Sequence, residues 1–144
     1  MATGPDHGVD AARPAKDLAQ RQYGVTAIAC IRQQIAQRYS GRLRFTNLIH
    51  PSASFGKGQR ALLEAKRGVI VCAGVRFTNN IQVGDFCIFN LNSTISHDVV
   101  IDECVYVAPG AHITGNVHIE TRAWIGIGVA INQGTENLKR RIGA

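Results

Sequence analysis

His97 and Asp98 stand side by side in the run Asn90-Leu-Asn-Ser-Thr-Ile-Ser-His-Asp-Val-Val-Ile101. A neutral imidazole is the side chain best suited to take a proton near neutral pH, and an adjacent carboxylate orients the ring and steadies the charge it acquires. An exposed histidine on a solvated face is the alternative, and spacing alone leaves both open. Asn90 and Asn92 add amides that could hydrogen-bond a ligand near His97, although asparagine is equally common at turns. The cysteines at 30, 72, 87 and 104 form neither a CxxC pair nor a zinc spacing, so they read as reduced, space-filling residues.

These residues sit inside a periodic pattern that must position them. Every sixth residue from Val71 to Ile131 is aliphatic or Phe, and the fourth residue after each, from Val75 to Thr135, is small or apolar. Helices repeat near 3.6 residues and strands near 2, so a six-residue beat means one short strand plus a turn per unit, with one large side chain inward. This is a parallel β-helix signature. Strands of a sandwich would slip out of phase at each turn. Three units close a triangular coil of about 18 residues, so the beat supplies between three and four coils, a prism roughly 15–20 Å tall.

The chain has 144 residues and a net charge of +6, the basic excess lying in residues 1–67. Without a recognisable nucleic-acid module, and with few aromatic residues for stacking, that charge does not imply a nucleic-acid partner. No apolar run approaches the length of a membrane span and no signal peptide precedes the repeat, which together with the cysteine usage places the expectation in the cytoplasm. Residues 1–16 have loop composition and are expected to be disordered. Residues 17–50 suggest a partial α/β segment: a β-prone run Val25–Cys30, an amphipathic helix from Ile31 to Tyr39 ending at Gly41, and a strand Leu43–Ile49. Residues 51–67 read as a linker or irregular first coil, and residues 68–144 as the β-helix. The beat falters after Gly134, with Asn137 where an aliphatic is due and Leu138 one place late. Arg140 to Ala144 resembles the opening of a further coil, so the expectation is that the β-helix is C-terminally incomplete.

The ordered set Leu48–Ala53, Val83–Asn90, Ile95–Asp98, Val107–Ala111, Thr114–Val117 and Trp124–Gly128 resembles the sialic-acid O-acetyltransferase family, which includes bacterial amino-sugar N-acetyltransferases. The resemblance implies a left-handed β-helix homotrimer in which acetyl-CoA, as cosubstrate, and a sugar meet between subunits, with no metal. It assigns the general base to His97 and its partner carboxylate to Asp98, and gives the backbone N–H of Gly115 to the oxyanion. Where one branch carries a second histidine nine residues after the base, this chain has Tyr106, which could hydrogen-bond the thioester, stack on a ligand or pack between subunits. The implied activity is acetyl transfer to a sugar amine or hydroxyl in surface-glycan synthesis, on an amino-sugar nucleotide or a sialic acid. Two rivals remain open. One is a non-catalytic β-helix remnant or scaffold. The other is a trimeric metal-dependent lyase of the carbonic anhydrase type, to which His112 and His118 would contribute from adjacent faces, although their spacing and that of His97 depart from that family's histidine trio.

Overall fold

The structure, a computed structural model, describes residues 29, 31–39, 41–135 and 141–142. The expected disorder of residues 1–16 and the phase slip at Asn137 and Leu138 lie outside the described residues; of the strand expected over Val25–Cys30 only Ala29 is described, and it is helical.

Among the described residues, fourteen two-residue strands stack into three parallel sheets that form the faces of a left-handed prism. Face A contains β1 (Leu48–Ile49), β3 (Ile70–Val71), β6 (Ile88–Phe89), β9 (Tyr106–Val107), β12 (Trp124–Ile125) and β14 (Arg141–Ile142). Face B contains β2 (Ser54–Phe55), β4 (Arg76–Phe77), β7 (Thr94–Ile95), β10 (His112–Ile113) and β13 (Ala130–Ile131). Face C contains β5 (Gln82–Val83), β8 (Val100–Ile101) and β11 (His118–Ile119). Each strand is short because its first residue points out, its second points in, and a corner follows at once. All eleven residues of the aliphatic beat are buried, none more than 4% exposed. Burying each Ile or Phe contributes roughly 1.5–3 kcal/mol, and the benefit is realised only when coils stack in register.

A second beat, invisible to hydrophobicity, makes the corners. Every sixth residue from Gly68 to Gly134 has a left-handed backbone, with φ between 54° and 74°. At nine of these positions the residue is Gly, Asn or Asp, the types that enter that region at least cost. The exceptions are Phe86, Cys104 and Arg122, all stacked on the corner between faces C and A. There the helix α1 (residues 31–38) docks: Ala36 packs with Phe86 and Cys104, Phe45 meets the Phe86 ring edge-on at 5.0 Å, and Arg32 donates to Gly68 O. For Phe86 and Cys104 this packing offsets the backbone cost of a left-handed residue with a side chain, about 1–2 kcal/mol.

The stack begins earlier than the beat predicts. Leu48–Ile49 pairs with Ile70–Val71, so the strand expected over Leu43–Ile49 is two residues long and belongs to the prism. The prism therefore has about five turns rather than three to four. Helix α2 (Gln59–Glu64) stands where face C of the first coil would lie, which is why residues 51–67 show no six-residue beat. Two side chains make the substitution work. Gln59, 2% exposed, donates from Nε2 to Ile81 O (2.7 Å) and accepts from Ile81 N–H (3.0 Å), taking the place of the absent strand backbone. Leu63, 1% exposed, closes the end of the apolar core. Asn47 then ties off the helix, donating to Lys66 O and accepting from Val69 N–H. Helix α1 forms as expected, but with the opposite face buried: Ile31 and Ile35 are exposed, and small Ala36 makes the contact because the corner already carries the Phe86 ring.

Replacing Gln59 with Leu would leave the buried Ile81 N–H and C=O without partners. At about 1–3 kcal/mol for each of the two orphaned groups, Gln59→Leu should lower stability by about 2–6 kcal/mol, read as a lower denaturant midpoint in chemical unfolding.

Candidate active site

The His97–Asp98 pair sits on the corner between faces B and C, on the third coil. The residue order of that corner dictates the arrangement. Ile95 points into the core, His97 falls on the outward tip, and Asp98 takes the left-handed position, which an aspartate accepts readily. The backbone is fixed from both sides, since Asp98 N–H donates to Asn79 O and Asn116 N–H donates to His97 O. His97 Nδ1 lies 2.8 Å from Asp98 Oδ2. Facing an ionised acceptor, Nδ1 carries the ring proton, which leaves the Nε2 lone pair available to take another. Asn80, on the coil below, donates its side-chain amide to the other carboxylate oxygen, Asp98 Oδ1. That bond first, and the bond from His97 second, hold the Asp98 carboxyl below the usual carboxylate range. The sign follows directly: the carboxylate's grip on the ring is complete above the ordinary Asp pKa and is lost as pH falls through the lowered one.

Gly115 lies directly over the imidazole on the next coil. A Cβ there would stand 2.5 Å from His97 Cε1 and 2.7 Å from Nε2, so the ring occupies the space that any other residue's side chain needs. The residue is glycine for close approach, not for a positive φ. Its own N–H enters none of the inter-coil backbone hydrogen bonds among the described residues. His97, Asp98 and Gly115 are thus brought together, with side-chain exposures of 54% and 44% for the pair.

The other expected residues fall elsewhere on the same chain. Asn90 and Asn92 belong to the corner between faces A and B, one full face from His97, about 15–20 Å of extended chain. There Asn90 donates to Val107 O, and Asn92, itself left-handed, stacks over Gly74. Neither touches the His97 corner within one chain, because six residues always advance the chain by one face. Tyr106 is on face A, its ring stacked parallel to Trp124 at 6.4 Å. His112 Nδ1 meets Thr94 Oγ1 on face B, and His118 Nε2 meets Asp102 Oδ1 on face C. The two histidines do occupy adjacent faces. The described residues contain no group of three His, Cys, Asp or Glu side chains able to hold a metal ion. Cys72 and Cys87 are free thiols, and burial pushes the Cys87 thiol up to about 12, which leaves it protonated and unreactive. Asn80 escaped the sequence reading altogether. The signal was present, because Asn80 precedes Asp98 by one coil of 18 residues and so must lie beneath it.

No family model matches the chain. Over 77 residues it is 40% identical to a GDP-perosamine N-acetyltransferase from Escherichia coli, an alignment covering 54% of this chain and 35% of that protein. The chain is thus similar to amino-sugar acetyltransferases built on hexapeptide repeats. Its fold is similar to that of PerB from Caulobacter crescentus in complex with CoA and GDP-perosamine. The TM-score is 0.68 and the identity 25%, over 75% of this chain and 51% of that one. The acetyltransferase domain of PglB from Neisseria gonorrhoeae, in complex with acetyl coenzyme A, gives a TM-score of 0.54 at 28% identity, over 75% of this chain and 51% of that one. The chain therefore spans about half the length of these structures and about a third of the curated relative.

Adding one methyl group at Gly115 tests the packing. Gly115→Ala should fold, because the clash falls on a rotatable ring rather than on backbone, with a stability change within about 1 kcal/mol. The imidazole should leave Asp98, seen by NMR as loss of the hydrogen-bonded Nδ1 proton signal.

Proposed function

We propose that the chain carries the acetyl-transfer centre of an acetyl-CoA-dependent amino-sugar N-acetyltransferase, acting on a nucleotide-linked amino sugar in surface-glycan synthesis. The observation that carries this reading is the imidazole held between Asp98 and Gly115, with Nδ1 on the carboxylate and Nε2 beside the glycine. The sugar-nucleotide relatives and the bound CoA of the structural neighbours support it. Of the two branches expected, the amino-sugar branch is taken over sialic-acid O-acetylation because the named substrate of those relatives is GDP-perosamine.

In this reading His97 Nε2 accepts a proton from the sugar amine as its nitrogen attacks the thioester carbonyl. The Gly115 N–H receives the oxyanion that develops on the carbonyl oxygen. The attack itself forms the N–C bond; collapse of the intermediate then restores the carbonyl as an amide and breaks the C–S bond, and the proton on Nε2 leaves with the thiolate as free CoA thiol. Asp98 keeps the imidazolium in place throughout. The amine is a strong nucleophile once deprotonated, so a single base and one oxyanion donor suffice without a metal.

The positions of Asn90, Asn92 and Tyr106 favour a homotrimer. If the corner between faces A and B of one copy abuts the His97 corner of the next, three copies close around a three-fold axis with their B faces inward. The outward residues of face B, from Ser54 through Thr94 to Ala130, are mostly small or polar and suit such an axis. Leu91 and Ile127, 49% and 73% exposed on the first of these corners, give it apolar surface to bury against a neighbour. Tyr106 and Asn90 would then serve a site made by two chains. Free thiols suit a reducing compartment, and among the described residues no helix is long and apolar enough to cross a membrane, in keeping with a cytoplasmic enzyme.

Thiol release from acetyl-CoA, followed with a panel of nucleotide-linked amino sugars, tests the reaction. His97→Ala should lower turnover by roughly 10²–10⁴ while the melting curve stays that of the parent; equal turnover would remove His97 from the role. Sedimentation equilibrium at micromolar concentration should give three times the chain mass, and a monomer mass would refute the shared site.

A further inference from the structure

We infer that Asn80 is a positioning residue for the base: by donating to Asp98 Oδ1 it turns the carboxylate so that Oδ2 meets His97 Nδ1, and so fixes the ring's tautomer and direction. The inference deepens the acetyl-transfer reading and rests on it. Its geometric basis is a column on the corner between faces B and C, in which Asn80, Asp98 and Asn116 repeat at 18-residue intervals with left-handed backbones. Asp98 is exposed, so nothing packs its carboxyl into one rotamer. Its direction must come from hydrogen bonds. Asp98 has two oxygens and two partners, Asn80 on one and His97 on the other. An exposed carboxylate held by the ring alone could rotate about its Cβ–Cγ bond and exchange oxygens. The Asn80 amide removes that freedom, since rotation would cost its own bond as well. Asn80 and His97 are the groups that act on the Asp98 charge, and the larger effect comes from Asn80. Asn80 touches no reacting atom in this arrangement, so its role runs through Asp98.

The left-handed backbone of position 80 (φ 56°) dictates which variants are informative. Ala would add backbone strain, whereas Gly and Asp both enter that region easily. Asn80→Gly deletes the donor. Asn80→Asp keeps the shape and replaces the donor with a second carboxylate. In Asn80→Gly the Asp98 carboxyl, followed by carbon-detected NMR titration, should move its midpoint up towards the ordinary Asp value. In Asn80→Asp, where two like charges compete, it should move further up. The hydrogen-bonded Nδ1 proton signal of His97 should weaken in both. Turnover should fall roughly tenfold with KM unchanged, as expected when an orienting group is lost rather than a binding one.

An unmoved Asp98 midpoint would overturn the inference even if turnover fell, because the loss would then be merely structural. A moved midpoint with parental turnover would overturn it too. Should Asn80→Gly unfold, the isosteric Asn80→Asp carries the same test. The NMR readouts need no acetyl transfer, so a parent chain that releases no thiol from acetyl-CoA would defeat the functional reading while the titration still decides whether Asn80 holds Asp98.

Discussion

The whole structure depends on a left-handed corner placed every sixth residue. A two-residue strand cannot bury anything by itself, and its two backbone hydrogen bonds do not hold it against a conformational entropy cost of about 1–2 kcal/mol per residue. Only the corner brings the chain back over itself after 18 residues, so that each inward aliphatic lands on the one below. Register and burial are therefore one decision. If a corner failed, the next strand would present its outward residue to the core and every later coil would be displaced. The end of such a stack has to be closed by something other than another coil, and α2 does this with one buried amide and one leucine.

The candidate site is a by-product of that geometry. Corner residues must point outward, and those in the left-handed position are Gly, Asn or Asp at least cost. The scaffold thus lines up amides and carboxylates in columns at a spacing of about 4.8 Å, close enough for residues on successive coils to hydrogen-bond. Asn80 and Asp98 are such a pair. His97 stands one place before the left-handed residue, so its ring lies over the equivalent residue of the next coil, and that residue, Gly115, has no side chain to obstruct it. Three coils contribute to one imidazole's position, which is how an exposed histidine on a thin prism comes to have a fixed direction.

What was legible in the sequence follows from which interactions leave a periodic trace. The inward beat from Val71 to Ile131 did, and so did the adjacency of His97 and Asp98. The left-handed beat left an equally regular trace in Gly, Asn and Asp, but Phe86, Cys104 and Arg122 interrupt it, and a reading by hydrophobicity looks past it. The first coil was hidden because α2 breaks its phase and a side-chain amide does the work of backbone, which no periodicity records. Helix α1 was read as amphipathic, yet Ile31 and Ile35 stay outside because the helix meets an aromatic corner rather than a flat sheet, and a small residue fits there. Asn90 and Asn92 looked near His97 along the chain. In a prism, five to seven residues is one face, so sequence neighbours diverge while residues 18 apart touch.

The three corners show how one backbone geometry can be given different tasks. Between faces A and B, Gly74, Asn92, Gly110 and Gly128 hold plain turns, and the large side chains beside them, Leu91 and Ile127, face solvent. Between faces C and A the cost of left-handed Phe86 is offset by the docking of α1, with Arg67 bonded to Asp85 and its guanidinium 5.9 Å from the Phe86 ring. Between faces B and C the cost is lowest, because Asn80, Asp98 and Asn116 are residue types suited to that backbone, and no packing against another element is needed to keep them there. That corner is therefore open to solvent and still rigid. The base proposed at His97 needs both properties at once, access for a substrate and a ring that does not turn, and a corner that stabilises itself through hydrogen bonds along the stack supplies them together.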